Sequence, residues 1–167
     1  MLINDLYDNE YDFKKFSKIR ITARAILLNE HNEIGYIKIK GEDDFGVRNH
    51  YESPGGQVEL DETFKEAVKR EVLEETGFVC SVHDEIGVII NRYNLINTIT
   101  ISRYFICKLK EKKTSHRTDS EMLLMQELEF KPLKVWLEHL SKGGSKVDRL
   151  VHKREYEVLK AYQSLIQ

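Results

Sequence analysis

Cysteine, proline and tryptophan are scarce in this chain: two, two and one among 167 residues. Two cysteines, Cys80 and Cys107, cannot build a disulfide framework or a zinc site. Each lies in an apolar run and reads as a reduced core thiol of a cytoplasmic protein. The prolines, Pro54 and Pro132, each end a strand, because proline has no N–H to give a ladder. No apolar run approaches the roughly 18 residues that span a bilayer, so a membrane helix is excluded. The opening MLINDLYDNEYDFKK is acidic and lacks the basic-then-apolar pattern of a signal peptide. Neither sign of charge dominates: 26 basic and 28 acidic residues leave a net charge of -2, so no basic field points to nucleic acid as the main partner. Internal repeats and low-complexity segments are also lacking.

What is present fits one soluble domain. The length suits a single core, and 41% apolar with 32% charged residues is a globular composition. Residues 1–20 are polar and aromatic and read as an N-terminal extension packing on a domain that spans 21–167. Strands are predicted at 21–29, 34–40, 50–53, 78–91, 97–109 and 127–131 from β-branched and alternating apolar patterns. Residues 41–49 read as a charged loop with glycine near its ends, and 110–120 as an exposed loop. Helices are predicted at 62–76, stopped by Gly77, at 133–141, and at 148–166. Strands on both sides of a central helix imply a mixed sheet flanked by helices, an α/β fold.

The central helix carries the chemistry. Glu71, Glu74 and Glu75 stand at i, i+3 and i+4 and share one face. On a helical wheel, Phe64, Ala67 and Val68 point the same way one or two turns earlier. The apolar stripe therefore continues as carboxylates, and carboxylates aimed at a core are expensive unless paired or bound to a cation. Oxygen-only ligands favour a hard ion, Mg²⁺ or Mn²⁺ over zinc. Ser53-Pro54-Gly55-Gly56 precedes the helix. Its side-chain-free backbone can approach a metal with carbonyls or a phosphate with N–H groups.

Together these residues carry a resemblance. Gly56, five residues, Glu62, seven residues, then Arg70-Glu71-Val72-Leu73-Glu74-Glu75-Thr76-Gly77-Phe78 resembles the Nudix box at every constrained position. Ser-Pro-Gly-Gly is similar to the Leu-Pro-Gly-Gly that usually precedes the box. Arg24-Ala25-Ile26-Leu27 and the segment from Thr118 to Leu133 resemble relatives more loosely. The likeness covers roughly residues 20–140.

The resemblance implies a MutT-like Nudix hydrolase with an α/β/α sandwich and mixed sheet. Such enzymes cleave the diphosphate of a nucleoside diphosphate derivative by water attack on phosphorus, with Mg²⁺ as first choice of ion and Mn²⁺ as second. On that basis Glu74 and Glu75 hold the principal metal with the Gly56 carbonyl, and Glu71 is a further ligand or the general base. Arg70 orients Glu71 through a charge-assisted bond. Glu62 complements the helix dipole or braces the loop. Glu121, with Glu127 second, is the candidate late carboxylate. Arg24 either contacts the diphosphate beside Gly55 and Gly56 or satisfies a structural carboxylate. Tyr93 and Phe45 are candidates to stack a base, while His50, His83 and His116 show no ligand spacing. A homodimer stays open. The alternatives are a silent nucleotide-binding module, which would be expected to lose box carboxylates, and an isoprenoid diphosphate isomerase, which would need a reactive cysteine or further glutamates.

Overall fold

A computed structural model describes all 167 residues. Eight strands form one mixed sheet: β1 (Leu2–Leu6), β2 (Lys18–Leu28), β3 (Ile34–Asp43), β4 (Gly46–Glu52), β5 (Gly55–Gln57), β6 (Phe78–Tyr93), β7 (Thr98–Lys112) and β8 (Met125–Lys131). The order is β1-β6-β7-β2-β3-β4, with β5 on β2 and β8 on β3. The pairs β1·β6 and β2·β7 are parallel and the others antiparallel. Four helices are α1 (Phe64–Thr76), α2 (Asp119–Leu124), α3 (Leu133–Leu140) and α4 (Lys146–Ile166). No helix is long and apolar enough to cross a membrane.

The alternation of β2 builds the layers. Ala23, Ala25 and Leu27 face α1 and pack on Ala67, Val68 and Val72. Ile26 and Leu28 face the other way, into a core with Trp136 of α3 and Val158 and Leu159 of α4. The fold is thus the expected α/β/α sandwich. Cys80 and Cys107 are free and buried.

One discontinuity creates the site. β2 meets β3 only at Leu27 and Leu28. Farther along, β5 takes the β2 edge at Thr22 to Arg24, while β4 pairs β3 from Ile37 onward. The sheet therefore splays, and the gap lets carboxylates of α1 reach a cleft that opens on the α4 side.

Several expectations are corrected. Residues 1–20 supply β1 and the start of β2, so the division at residue 20 falls inside a strand. The loop 41–49 is the tip and arms of the β3–β4 hairpin, with Gly41 at φ 146° and Gly46 at φ 106°. Part of 110–120 extends β7, and α2 begins at Asp119. Helix α1 starts at Phe64, because Thr63 caps it in a reciprocal pair with Glu66.

Ser145 and Asp148 form the same kind of box at the head of α4. Asp148 also ties the helix to β4, accepting the Asn49 N–H at 2.8 Å and His50 Nδ1 at 2.8 Å. Burial pushes its carboxyl up, but His50 and these backbone donors outweigh that and hold it low. A depressed carboxyl stabilises the fold above its unfolded value of 3.8, and the contribution is lost as pH falls through the folded value. Asp148→Asn is therefore expected to cost about 2 kcal/mol at neutral pH. Thermal melts should show a Tm lower by about 4–8 °C, with the gap narrowing in acid.

Candidate active site

Helix geometry and the splayed sheet bring three carboxylates together. Oxygens of Glu71, Glu75 and Glu121 lie within 4.8 Å of one another. Glu71 and Glu75 are 8% and 3% exposed, in line with Ala67, Val68 and Val72 on the buried face of α1. Burial pushes Glu75 well up, opposed by the Gly55 N–H, which it accepts at 2.9 Å, and by the charge of Arg24. Burial also raises Glu71, and Arg70 opposes the shift.

Glu74 does not join this group. It is half-exposed, and its carboxylate faces Arg70 Nη1 at 3.2 Å. Arg70 is fully engaged: it donates to Glu71 at 2.8 Å, to Glu62 at 2.5 and 3.0 Å, and to the Gln57 carbonyl at 3.0 Å. Glu62 precedes the helix cap. It braces the loop by gripping Arg70 and accepting the Glu59 N–H at 2.8 Å. Glu127 is exposed on β8, outside the cluster.

The glycines fit their neighbours closely. A Cβ on Gly56 would stand 2.5 Å from Glu71 Oε1, so the backbone lies against that carboxylate. Gly55, at φ 148°, would put a Cβ 2.3 Å from the Ala23 carbonyl.

The cluster opens onto a cleft of about 530 Å³. Four arginines line it, and three are spoken for. Arg24 donates to the Ser53 carbonyl at 2.7 Å and sits 3.9 Å from Glu52. Arg48 is held by Asp43 at 2.7 Å, and Arg154 by Glu52 at 3.0 Å and Glu155 at 2.6 Å. Arg24 thus satisfies a structural carboxylate while still facing the cleft. Arg20, two steps farther along the same face of β2, has no hydrogen-bonded or ionic partner. Phe45 and Tyr93 meet edge to face at 4.9 Å on the cleft wall.

The sequence did not point to Arg117 or to the buried polar set on α4. Arg117 donates to the carbonyls of Glu75, Met125 and Gln126 at 2.8, 2.9 and 2.8 Å, which fixes the segment that presents Glu121. Glu121 itself is held by the Thr118 N–H at 2.7 Å in a capping box. The signal for α2 was Thr118-x-x-Glu121, a box written in four residues. Arg154 and Glu155 lie between Val151 and Val158 of an inward face, the same anomaly that marked Glu71 and Glu75.

A mixed sheet between α1 on one side and α3 and α4 on the other, with box carboxylates at its split, defines the class. Residues 18–142 match the NUDIX domain family model, and the chain belongs to the Nudix hydrolase family. A MutT protein from Methanosarcina mazei Go1 superposes with TM-score 0.64 at 21% identity, covering 93% of this chain and 100% of that one. A NUDIX hydrolase from Nitrosomonas europaea superposes with TM-score 0.63 at 15% identity, covering 87% and 88%. At these identities the likeness is one of fold. In sequence, the Caenorhabditis elegans protein named "Putative nudix hydrolase 1" is 38% identical over 64 residues, 38% of this chain and 18% of that protein. The chain thus aligns with under a fifth of that relative's length.

Proposed function

We propose that this protein is a Mg²⁺-dependent hydrolase that cleaves the diphosphate linkage of a nucleoside diphosphate derivative by water attack on phosphorus. The observation that carries the reading is the convergence of Glu71, Glu75 and Glu121 at the inner end of the cleft. Two buried acids with raised proton affinity fit a cation: the donors are all oxygen, and Gly56 leaves room beside them. Glu71, Glu75 and Glu121 would hold the ion, with the Gly56 carbonyl as a further ligand and Glu74 next to the group. A divalent ion there supplies an acidified water and neutralises phosphate charge.

The protein's own groups do the rest. Gly55 N–H fixes one Glu75 oxygen. Arg70 orients Glu71 and does not reach for substrate. Glu121 pairs with no arginine and stands half-buried, so it would complete the ligand set from outside the box, with Glu71 as further ligand or general base. Free, buried Cys80 and Cys107 support a reducing, cytoplasmic setting.

The test is a panel of nucleoside diphosphate derivatives with Mg²⁺ and with Mn²⁺, read by phosphate-containing products. Turnover of at least one member is expected. Tight binding across the panel without product would replace this reading by a silent nucleotide-binding module.

Arg20 gives a finer expectation. As the one cleft arginine without a partner, it is available to an anionic or carbonyl group beyond the scissile diphosphate. A charge-assisted bond contributes about 1.5–3 kcal/mol, so Arg20→Ala should lower kcat/KM by roughly 10–100-fold. The loss should fall mainly on KM, and steady-state kinetics on the best panel substrate will read it.

A further inference from the structure

Glu155 lies on α4, outside the stretch matched by the family model, yet it touches the loop that carries the glycines. It is 0% exposed. One of its oxygens accepts the Ser53 hydroxyl at 3.0 Å. Ser53 is 1% exposed and opens Ser53-Pro54-Gly55-Gly56.

Ser53 to Gly55 is bonded at each step. The Ser53 hydroxyl reaches Glu155, and the Ser53 carbonyl takes Arg24 Nη1 at 2.7 Å. The Pro54 carbonyl takes the Ala25 N–H at 2.9 Å, and the Gly55 N–H meets Glu75 at 2.9 Å. The last of these contacts is the site itself. The first is the hydrogen bond that joins this loop to the C-terminal helix.

We infer that Glu155, acting through the Ser53 hydroxyl, is a positioning residue that sets the catalytic loop against Glu71 and Glu75. This rests on the hydrolase reading above.

One feature separates it from a plain core ion pair. Arg154 already lies against Glu52 and Glu155, so charge balance alone does not call for a serine at 53. The serine stands where the resembling lead-in usually has leucine, which offers no such bond.

Ser53→Ala removes the loop's side-chain bond to Glu155 and leaves its backbone bonds in place. It should lower both kcat and Mn²⁺ affinity by about 10–100-fold, as loss of an outer partner of a ligand does, while KM holds. Its Tm should drop by only about 2–4 °C. Asp148→Asn is the control. Asp148 ties α4 to β4 through Asn49 and His50 and makes no hydrogen bond to residues 53–56. It should lower Tm by about 4–8 °C and leave kcat and Mn²⁺ affinity at wild-type values. Mn²⁺ affinity is measured by titration calorimetry on the full chain.

The inference is overturned by Ser53→Ala with wild-type kcat and Mn²⁺ affinity, or by an Asp148→Asn loss of kcat and Mn²⁺ affinity equal to that of Ser53→Ala. If the wild type cleaves no substrate, the hydrolase reading fails, and the Mn²⁺ titrations alone still decide whether Ser53 positions the loop.

Discussion

Glu75→Gln is expected to lower kcat by about 10³-fold or more while leaving the metal-free protein at least as stable as the wild type near neutral pH. The activity loss follows from removing one charged ligand of a divalent ion that supplies several kcal/mol to the transition state. The stability gain follows from burial. Glu75 is 3% exposed, and the one donor facing it is the Gly55 N–H, which an amide oxygen accepts equally well.

The sign with pH is opposite to that of Asp148. Desolvation raises the folded-state affinity of Glu75 for its proton well above the ordinary 4.5. Its contribution to stability is therefore full below 4.5 and is lost as pH rises through the folded value. Without metal, the wild type should weaken as pH climbs from 4.5 into the neutral range, and Glu75→Gln should lack that slope. Added Mg²⁺ should restore the wild type and leave the variant nearly unchanged, since a ligand stabilises only the form that binds it. Melting curves at stepped pH, with and without Mg²⁺, measure all three. A variant that keeps wild-type turnover, or a metal-free wild type that grows steadily more stable toward pH 8, would remove Glu75 from the metal site.

The legible parts of this molecule are those whose cause is local. Glu71 and Glu75 sit at i and i+4 behind Ala67 and Val68, and that spacing reveals a buried acid pair without any tertiary knowledge. Gly77 ends α1 with φ 76° as its position implies. The hairpin at 41–49 hid because both arms are polar and Gly41 and Gly46 look like loop punctuation. Its strands are set by pairing with β3 and by the Arg48–Asp43 contact. β1 hid for a related reason: five residues in parallel register with β6, more than eighty positions away, leave no local trace.

The site was read in the same uneven way. Glu74 and Glu75 look alike on a wheel, yet Arg70 draws Glu74 aside and leaves Glu75 in the cluster. For Arg24 the sequence leaves a diphosphate contact and a structural carboxylate equally open, and only the fold sets it beside Glu52 and the Ser53 carbonyl. Arg20, which the sequence did not single out, is the cation left free. Partner choice across a cleft depends on distances that no spacing rule contains.

Arg154→Ala is expected to be strongly destabilising. Its side chain is 5% exposed and donates to Glu155 at 2.6 and 3.0 Å, to Glu52 at 3.0 Å and to the Tyr93 hydroxyl at 3.2 Å. Removing it leaves Glu155 buried without a cation and Glu52 with Arg24 at 3.9 Å. Breaking a buried pair in this way costs about 3–5 kcal/mol, or roughly 6–20 °C in Tm for a chain of this size. Burial pushes the Glu52 carboxyl up, but Arg24 and Arg154 together hold it low. Its contribution is present above 4.5 and lost as pH falls through the folded value, so the deficit of the variant should be largest at neutral pH and shrink in acid. A second variant separates stability from catalysis. Replacing the pair with apolar residues, Arg154→Met with Glu155→Leu, should recover most of the lost Tm, because well-packed apolar residues often match a buried ion pair. It should not recover kcat, because the Ser53 hydroxyl would have lost its acceptor. Recovery of both would mean that Glu155 serves only to neutralise Arg154, and the coupling between α4 and the glycine loop would be a matter of packing alone.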